Sequence, residues 1–196
     1  MMDVTVALIA LVLASPVMLV IALLVWLTDG GPAIFSHSRV GFGGKPFACY
    51  KFRTMVANSG QVLIDHLASN PEAAREWEQN WKLKHDPRIT FLGHILRKSS
   101  LDELPQLINV LRGDMSCVGP RPVVPDELQR YGISAADYLK ARPGLTGLWQ
   151  VTGRDAMDYA SRVAIDSRYV RNWSIWSDFV ILCRTAIAVM KFDQAS

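Results

Sequence analysis

The sequence predicts an α/β protein that is mostly helical, with one small β-hairpin and an apolar helix at its N-terminus. Three observations predict this class. Residues 4–28 carry no charge. Two stretches rich in strand-forming residues flank the glycine-rich segment 41–44. Segments 57–85 and 104–111 have the spacing and end signals of helices.

The N-terminal apolar run is long enough to cross a membrane. Residues 4–27 would form a helix of about 36 Å at ~1.5 Å per residue, against a hydrocarbon core of ~30 Å. Hydropathy alone therefore favours a spanning helix. Pro16 removes a backbone hydrogen bond and crowds the carbonyl of Val12, so we expect a kink there, and Ser15 can satisfy part of the freed backbone polarity. A bent helix that re-enters one leaflet is the alternative to a kinked spanning helix.

We expect two parts in the chain: a membrane-embedded helix at 1–28 and a domain at 29–196. Basic residues follow the apolar run, which favours a cytoplasmic location for the domain. These residues are Arg39, Lys45, Lys51 and Arg53.

Residues 33–40 and 47–55 are predicted strands, joined by the glycine-rich turn. Side chains alternate along a strand, so Lys51 and Arg53 share one face. This face is either an ordinary solvated surface or a cationic wall for phosphate groups.

Composition excludes several classes of protein. The net charge of +3 over 196 residues is too small to indicate a nucleic-acid partner. The three cysteines lie far apart and the four histidines lack metal-ligand spacing, so we expect neither a disulfide framework nor a zinc site. Neither a Walker A loop nor a GxGxxG fingerprint occurs in the sequence.

Two further segments have an expected structure. Asn70 and Pro71 read as a helix cap and a first-turn proline. Trp77 and Trp81 follow at i, i+4 spacing, which is typical of a packing face or of a face on the membrane surface. The aromatic and apolar segment 173–182 contains Asp178 and is close to Arg184, so it is expected in the membrane interface or in the core rather than across a bilayer.

Asp102 and Glu103 form a carboxylate pair at the start of a helix that Gly113 ends. Either Ser100 is the N-cap and Glu103 closes a capping box, or Pro105 is the first helical residue. Acidic residues at such a position usually only complement the helix dipole. Here the neighbourhood is basic, and an ionised aspartate among cations can act as a nucleophile toward phosphorus.

A set of ordered motifs covers nearly the whole chain. They are Ser15-Pro16 in the apolar run, KFRTM at 51–55, DPRIT at 86–90, RKSSLDELPQLINV at 97–110, GDMS at 113–116, GPRP at 119–122, RPGLTG at 142–147 and WQVTGR at 149–154. In these motifs the chain resembles the bacterial sugar transferases, which are monotopic polyprenyl-phosphate phosphoglycosyl transferases.

The resemblance implies a two-step reaction at the cytoplasmic face of the bacterial inner (plasma) membrane. Asp102 would attack the β-phosphorus of a UDP-sugar and release UMP, leaving an aspartyl-phosphosugar intermediate. Polyprenyl phosphate, expected to be undecaprenyl phosphate, would then take up the phosphosugar. The product would be the first membrane-linked intermediate of a surface glycan such as an exopolysaccharide or O-antigen. Ser15 and Pro16 match the break that makes the family's helix re-entrant, so the resemblance favours a re-entrant helix.

The resemblance also implies the site residues and the cofactor. Asp102 would be the nucleophile and a ligand of Mg²⁺, with Glu103 in support. The residues expected to bind phosphate or substrate are Lys51, Arg53, Arg88, Arg97, Arg121, Arg142, Gln150 and Arg154. The identity of the sugar and the formation of a homo-oligomer are left open.

The sequence departs from the family pattern at two places. Only Met1, Met2 and Asp3 precede the apolar run, where many relatives have basic residues, so extra N-terminal membrane segments in the native protein are left open. Asp155 stands where relatives often have asparagine, and its role is open too. Two competing hypotheses are a membrane-anchored module that binds nucleotide sugars or phospholipid without catalysis, and a scaffold subunit.

Overall fold

The computed structural model describes residues 2–80, 83–152 and 158–190 of the chain. Its first five helices are α1 (Met2–Asp29), α2 (Ser59–Ser69), α3 (Pro71–Asn80), α4 (Phe91–Ser99) and α5 (Gln106–Arg112). The helices that follow are α6 (Pro125–Gln129), α7 (Ala135–Tyr138), α8 (Leu148–Thr152), α9 (Tyr159–Arg171) and α10 (Ile175–Met190). The strands are β1 (Ile34–Val40), β2 (Pro46–Phe52), β3 (Ser116–Val118) and β4 (Gly144–Thr146). The mostly helical class with a small hairpin is confirmed.

Helix α1 continues without interruption through Pro16. Proline cannot donate to the carbonyl of Val12, and the Ser15 hydroxyl donates to that oxygen instead, at 2.9 Å. The expected compensation by Ser15 is therefore confirmed, and the expected bend at Pro16 stays a prediction. The helix is long and apolar enough to cross a membrane.

One stripe of α1 packs along the rest of the protein. Ala7, Ile21 and Val25 are buried in this seam and belong to two hydrophobic clusters shared with the rest of the chain. Near the N-terminal end, the Asp3 carboxylate accepts hydrogen bonds from the backbone N–H of Cys117 at 3.0 Å and from the Ser116 hydroxyl at 3.0 Å. Toward the other end, the carbonyl of Val25 in α1 accepts a hydrogen bond from Arg53, which follows β2. The helix is thus fixed to the protein along most of its length.

The face of α1 opposite the seam is exposed, and its large side chains are apolar. They are Val4, Leu8, Ile9, Val12, Leu13, Val17, Leu19, Val20, Leu23, Leu24, Trp26 and Leu27. An exposed apolar surface of this extent is typical of a membrane contact.

The hairpin pairs β1 with β2 in antiparallel register from Ile34 opposite Phe52 to Val40 opposite Pro46. A short 3-10 turn, Phe42–Gly44, joins the strands, and Gly43 and Gly44 have φ of 64° and 81°. The second strand is shorter than predicted, because the chain leaves the sheet after Phe52 and Met55 bridges to Ile89 instead. Lys51 therefore lies in the strand and Arg53 just beyond its end.

Several local predictions are confirmed. Residues 57–85 contain α2 and α3, and the Asn70 side chain caps α3 by accepting from the N–H groups of Glu72 and Ala73, both at 3.1 Å. Gly113 ends α5 in a left-handed conformation with φ of 79°. Trp77 packs under the guanidinium of Arg88 at 4.9 Å, and Trp81 lies outside the described residues.

The aromatic segment before and within α10 divides between surface and core. Trp173, Trp176 and Phe179 are exposed, whereas Ile181 is buried in the main hydrophobic cluster. Core packing is therefore wrong for the three aromatic residues, and their location in a membrane interface stays a prediction.

A parallel two-stranded sheet, β3 with β4, was not predicted. Ser116 lies opposite Gly144 and Val118 opposite Thr146. The backbone is packed so closely here that a Cβ atom on Gly144 would collide with the backbone of Gly119 and of Thr146. Glycine is required here by space rather than by φ.

Replacing Gly144 with alanine should destabilise the protein by about 1–3 kcal/mol or more, because backbone atoms must move to admit the methyl group. Gly60→Ala is the matched control, since a Cβ at Gly60 in α2 meets nothing within 4 Å and alanine favours a helix by about 1 kcal/mol. Thermal unfolding of the detergent-purified variants measures both. Equal melting temperatures for the two variants would contradict the close-approach argument.

Candidate active site

The carboxylate pair lies between two helices. Helix α4 ends at Ser99, and its C-cap Ser100 adopts a left-handed conformation with φ of 58° and donates its N–H to the carbonyl of Arg97. A 3-10 turn, Leu101–Glu103, follows, and α5 begins at Gln106. The capping-box prediction is wrong, because Ser100 caps the C-terminus of the preceding helix. The alternative start at Pro105 is wrong by one residue, since Pro105 is the residue before α5.

Asp102 is buried, with 8% of the residue exposed. Its Oδ2 lies 3.8 Å from Lys51 Nζ, and the same ammonium group donates to Glu103 Oε1 at 2.7 Å. Burial raises the pKa of the Asp102 carboxyl, with Glu103 acting in the same direction, while Lys51 and Arg97 oppose the rise. The turn therefore holds a desolvated carboxylate whose charge is partly balanced by Lys51 of the neighbouring strand β2.

Asp102 and Glu103 line a cleft of about 1150 Å³. Among the described residues that line the cleft, Asp102 and Glu103 are the only acidic ones, and eight others are lysine or arginine. The basic residues are Arg39, Lys51, Arg53, Arg97, Lys98, Arg121, Arg162 and Arg184. A cleft with this excess of positive charge is suited to an anionic ligand with several phosphate oxygens.

Five of the predicted binding residues line this cleft: Lys51, Arg53, Arg97, Arg121 and Gln150. The fold also engages some of them directly. Arg97 Nε donates to Thr54 Oγ1 at 2.9 Å, and Arg53 donates to the carbonyl of Val25 in α1 at 3.3 Å. The cleft wall is thus joined to the apolar helix.

The remaining predicted residues lie elsewhere. Arg88 does not line the cleft and is bound by the carboxylate of Asp86 through two hydrogen bonds of 2.8 and 2.7 Å. Arg142 is exposed and does not line it either. Arg154 and Asp155 lie outside the described residues. The proposed roles of all these residues in binding stay predictions.

Part of one cleft wall was not predicted from the sequence. Trp149 is buried, and two guanidinium groups lie over its indole, that of Arg162 at 4.3 Å and that of Arg121 at 5.6 Å. Arg162 comes from α9, where no motif marks it. Arg39 and Arg184 were likewise not assigned to the site, although both line the cleft.

The carboxylate pair fits a magnesium ion only together with a substrate. Among residues 2–80, 83–152 and 158–190, no group of three or more His, Cys, Asp or Glu side chains could hold a metal. Mg²⁺ is commonly bound by one or two carboxylates together with substrate phosphates and water. The separation of 3.8 Å between Asp102 Oδ2 and Lys51 Nζ is beyond hydrogen-bond distance, so the ammonium group of Lys51 does not occupy the lone pairs of that oxygen.

The fold and the cleft define a protein with a membrane-compatible apolar helix and a basic cleft that holds a buried carboxylate pair. The chain matches the family described as bacterial sugar transferase over residues 1–192, and it belongs to that family.

Individual relatives agree with this assignment. The chain is 55% identical to the undecaprenyl-phosphate galactose phosphotransferase of Salmonella typhimurium, over 98% of this chain and 40% of that protein. It is 52% identical to the exopolysaccharide production protein ExoY of Rhizobium meliloti, over 95% of this chain and 83% of that protein. It is 54% identical to the UDP-galactose-lipid carrier transferase of Erwinia amylovora, over 90% and 37% respectively. The chain thus spans about two fifths of the Salmonella and Erwinia relatives and most of ExoY.

Asp166, on α9 four residues after Arg162, provides a test of the electrostatics beside the cleft. It is buried and accepts a hydrogen bond from the Tyr131 hydroxyl at 3.1 Å. Burial raises the pKa of its carboxyl to about 7, although the Tyr131 bond and the positive charge of Arg162 lower it. The folded protein then binds this proton more tightly than the unfolded chain, so the contribution to stability is greatest at low pH and is lost as pH rises through about 7.

Replacing Asp166 with asparagine should remove this dependence, because asparagine does not titrate. The free energy of unfolding of the D166N variant minus that of the wild type should therefore be larger at pH 8 than at pH 5. Denaturant unfolding of both proteins at the two pH values measures the difference. An identical pH dependence in the two proteins would contradict the raised pKa.

Proposed function

We propose that the protein transfers a phosphosugar from a UDP-sugar to a polyprenyl phosphate, expected to be undecaprenyl phosphate, and releases UMP. The observation that carries the proposal is the buried Asp102 carboxylate in a strongly basic cleft, in a chain of this family. Polyprenyl-diphosphate-sugar would be the product, formed as the first membrane step in the assembly of a surface glycan.

The reaction would have two displacements at one phosphorus atom. An oxygen of Asp102 attacks the β-phosphorus of the UDP-sugar, the bond to the bridging oxygen breaks, and UMP leaves with that electron pair. An oxygen of polyprenyl phosphate then attacks the same phosphorus and displaces the Asp102 carboxylate. Each displacement forms one P–O bond and breaks one.

The contacts around the turn support these roles. Attack by a carboxylate on a diphosphate is opposed by charge repulsion, which nearby cations must offset. Glu103 holds the ammonium group of Lys51 at 2.7 Å, and that position keeps the same group 3.8 Å from Asp102. Glu103 would therefore act by positioning Lys51, while Arg97 and Arg121 would contact phosphate oxygens.

Mg²⁺ is the proposed cofactor, with Asp102 and the substrate phosphates as its ligands. When bound, it would neutralise part of the charge on the diphosphate.

We also propose that α1 is a monotopic, re-entrant anchor with the catalytic part on the cytoplasmic side of the inner membrane. Contacts of its two ends support this arrangement. Asp3 and Val25 both bond to the same folded body, although about 33 Å of helix separates them at ~1.5 Å per residue. A helix that crossed the bilayer away from the body would carry Asp3 out of reach of Cys117.

The donor sugar is the least determined part of the proposal. Two of the relatives named above carry galactose in their names, so UDP-galactose is the first donor to test. UDP-glucose and the N-acetylated UDP-hexoses complete the panel.

The reaction is tested by the Asp102→Asn variant in detergent, with Mg²⁺, undecaprenyl phosphate and the donor panel. UMP release by the wild type should fall by at least about 10³-fold in the variant, because the amide lacks the nucleophilic oxygen. The matched control is Asp126→Asn, since Asp126 is exposed in α6 and does not line the cleft. Its turnover and melting temperature should equal those of the wild type.

Retained turnover in D102N would contradict the nucleophile assignment. Saturable binding of a UDP-sugar by the wild type, with no UMP release from any donor, would instead favour the binding module. Loss of UMP release on addition of EDTA tests the metal separately.

The topology is tested by cysteine labelling in cells of a Met2→Cys variant that also carries Cys183→Ser, because Cys183 is the exposed native cysteine among the described residues. A membrane-impermeant maleimide should label residue 2 only after the cytoplasmic face is opened. Ile133→Cys is the control for cytoplasmic exposure, since Ile133 is 94% exposed on the folded body. Labelling of residue 2 from the periplasmic side alone would exclude the re-entrant helix.

A further inference from the structure

The wall of the cleft formed by Trp149 gathers two arginine side chains on one indole. The guanidinium carbon of Arg162 lies 4.3 Å from the ring centroid and that of Arg121 lies 5.6 Å from it. Both arginines line the cleft. One ring therefore brings two positive charges to the same part of the cleft, which favours an anion nearby.

The buried Asp166 carboxyl interacts electrostatically with both arginines, but its hydrogen bond to this pair is with the backbone N–H of Arg121 and not with either guanidinium group. In the described part of the chain, no ion pair within 4.0 Å joins Arg121 or Arg162 to an acidic side chain. Lys51 and Arg97 differ from this pair because each donates to a protein side chain, Lys51 to Glu103 and Arg97 to the Thr54 hydroxyl. The donor groups of the arginine pair are therefore available to a ligand.

Buried polar atoms at the same place point to a missing partner. The indole Nε1 of Trp149, the Nε of Arg162 and the Oε1 of Gln150 are buried, and each lacks a hydrogen-bond partner within the described residues. The Trp149 side chain belongs to a residue that is only 3% exposed. An unsatisfied buried polar group costs about 1–3 kcal/mol, so three neighbouring ones indicate that a polar ligand or water completes this wall.

We infer that Arg162, held over Trp149 beside Arg121, is a phosphate-binding residue of the cleft, for a phosphate other than the one bound to Asp102. This inference rests on the proposed function. The nucleotide half of a UDP-sugar supplies such a phosphate, and so does the head group of polyprenyl phosphate. The flat guanidinium of Arg162 is fixed by stacking, which leaves its outer N–H groups to pair with phosphate oxygens.

The position of Arg121 favours the nucleotide phosphate. Arg121 lines a small secondary cavity together with Lys51 and Glu103, and it also contacts the indole on which Arg162 lies, so it adjoins both parts of the cleft. A diphosphate whose β-phosphorus meets Asp102 would extend its α-phosphate along this line. UMP would then stay bound to Arg162 and Arg121 as the leaving group.

The test compares Arg162→Gln and Arg162→Lys with a matched control, Arg168→Gln. Arg168 lies on the same helix, is exposed and does not line the cleft, so its replacement removes the same charge outside the site. The probes are UMP and inorganic diphosphate, titrated by calorimetry into the detergent-purified full chain, so the readout does not require turnover. Thermal unfolding checks that each variant is folded.

We expect R162Q to bind UMP at least about 10-fold more weakly, as loss of a charge-assisted hydrogen bond implies. R162K should be intermediate, because lysine keeps the charge but neither stacks nor forks in the same way. R168Q should bind as the wild type does. In turnover, R162Q should raise the KM for the UDP-sugar and leave the KM for polyprenyl phosphate unchanged.

Other outcomes separate the two sources and the two proposals. Unchanged UMP binding with a raised KM for polyprenyl phosphate would assign the site to the lipid phosphate. Unchanged binding of both probes with unchanged KM for both substrates in folded R162Q would overturn the inference, as would failure of the wild type to bind either probe. If the wild type releases no UMP from any donor but R162Q still loses diphosphate binding, the proposed reaction fails and the phosphate site stands.

Discussion

The cost of burying the Asp102 carboxylate governs the rest of this structure. A buried charge without a partner destabilises a protein by several kcal/mol, so each carboxylate in the cleft requires a cation at a fixed place. Lys51 meets this requirement, because β2 holds its backbone and Glu103 binds its ammonium group. The hairpin is small, but the pairing of β2 with β1 fixes the strand that places Lys51 beside the turn. The other basic side chains give the cleft an excess of positive charge, which suits an anionic ligand.

Helix α1 supports the elements that carry these charges. Phe52, next to Lys51, and Leu96, next to Arg97, pack in one cluster with Ile21 and Val25 of the helix. The same helix exposes an apolar face on its other side. A change in how α1 sits in the bilayer would therefore be transmitted to the cleft wall through direct packing.

Local rules predicted the hairpin, the Asn70 cap and the end of α5 at Gly113, because each depends on residues near one another in sequence. They failed where long-range contacts decide. The seam of α1 left no periodic signal, since the helix is apolar on all sides, and three-residue strands such as β3 and β4 are too short to show alternation. Ser100 is chemically suited to either end of a helix, so only the geometry of α4 assigns it. Arg162 has no motif, and its place over Trp149 depends on the packing of α8 against α9.

The basic residues of the cleft fall into two groups that act differently. Lys51, Arg97 and Arg53 are bonded to protein atoms, so they hold fixed positions around the carboxylate pair before any ligand arrives. Fixed charges cost no reorganisation during a reaction, which is the property that electrostatic catalysis requires. Arg121 and Arg162 are held by an aromatic surface, which orients a guanidinium without using its hydrogen-bond donors. The cleft therefore has one end where the cations are fixed by protein contacts and one end where guanidinium donors are free to meet an anion, a division that supports the proposed function.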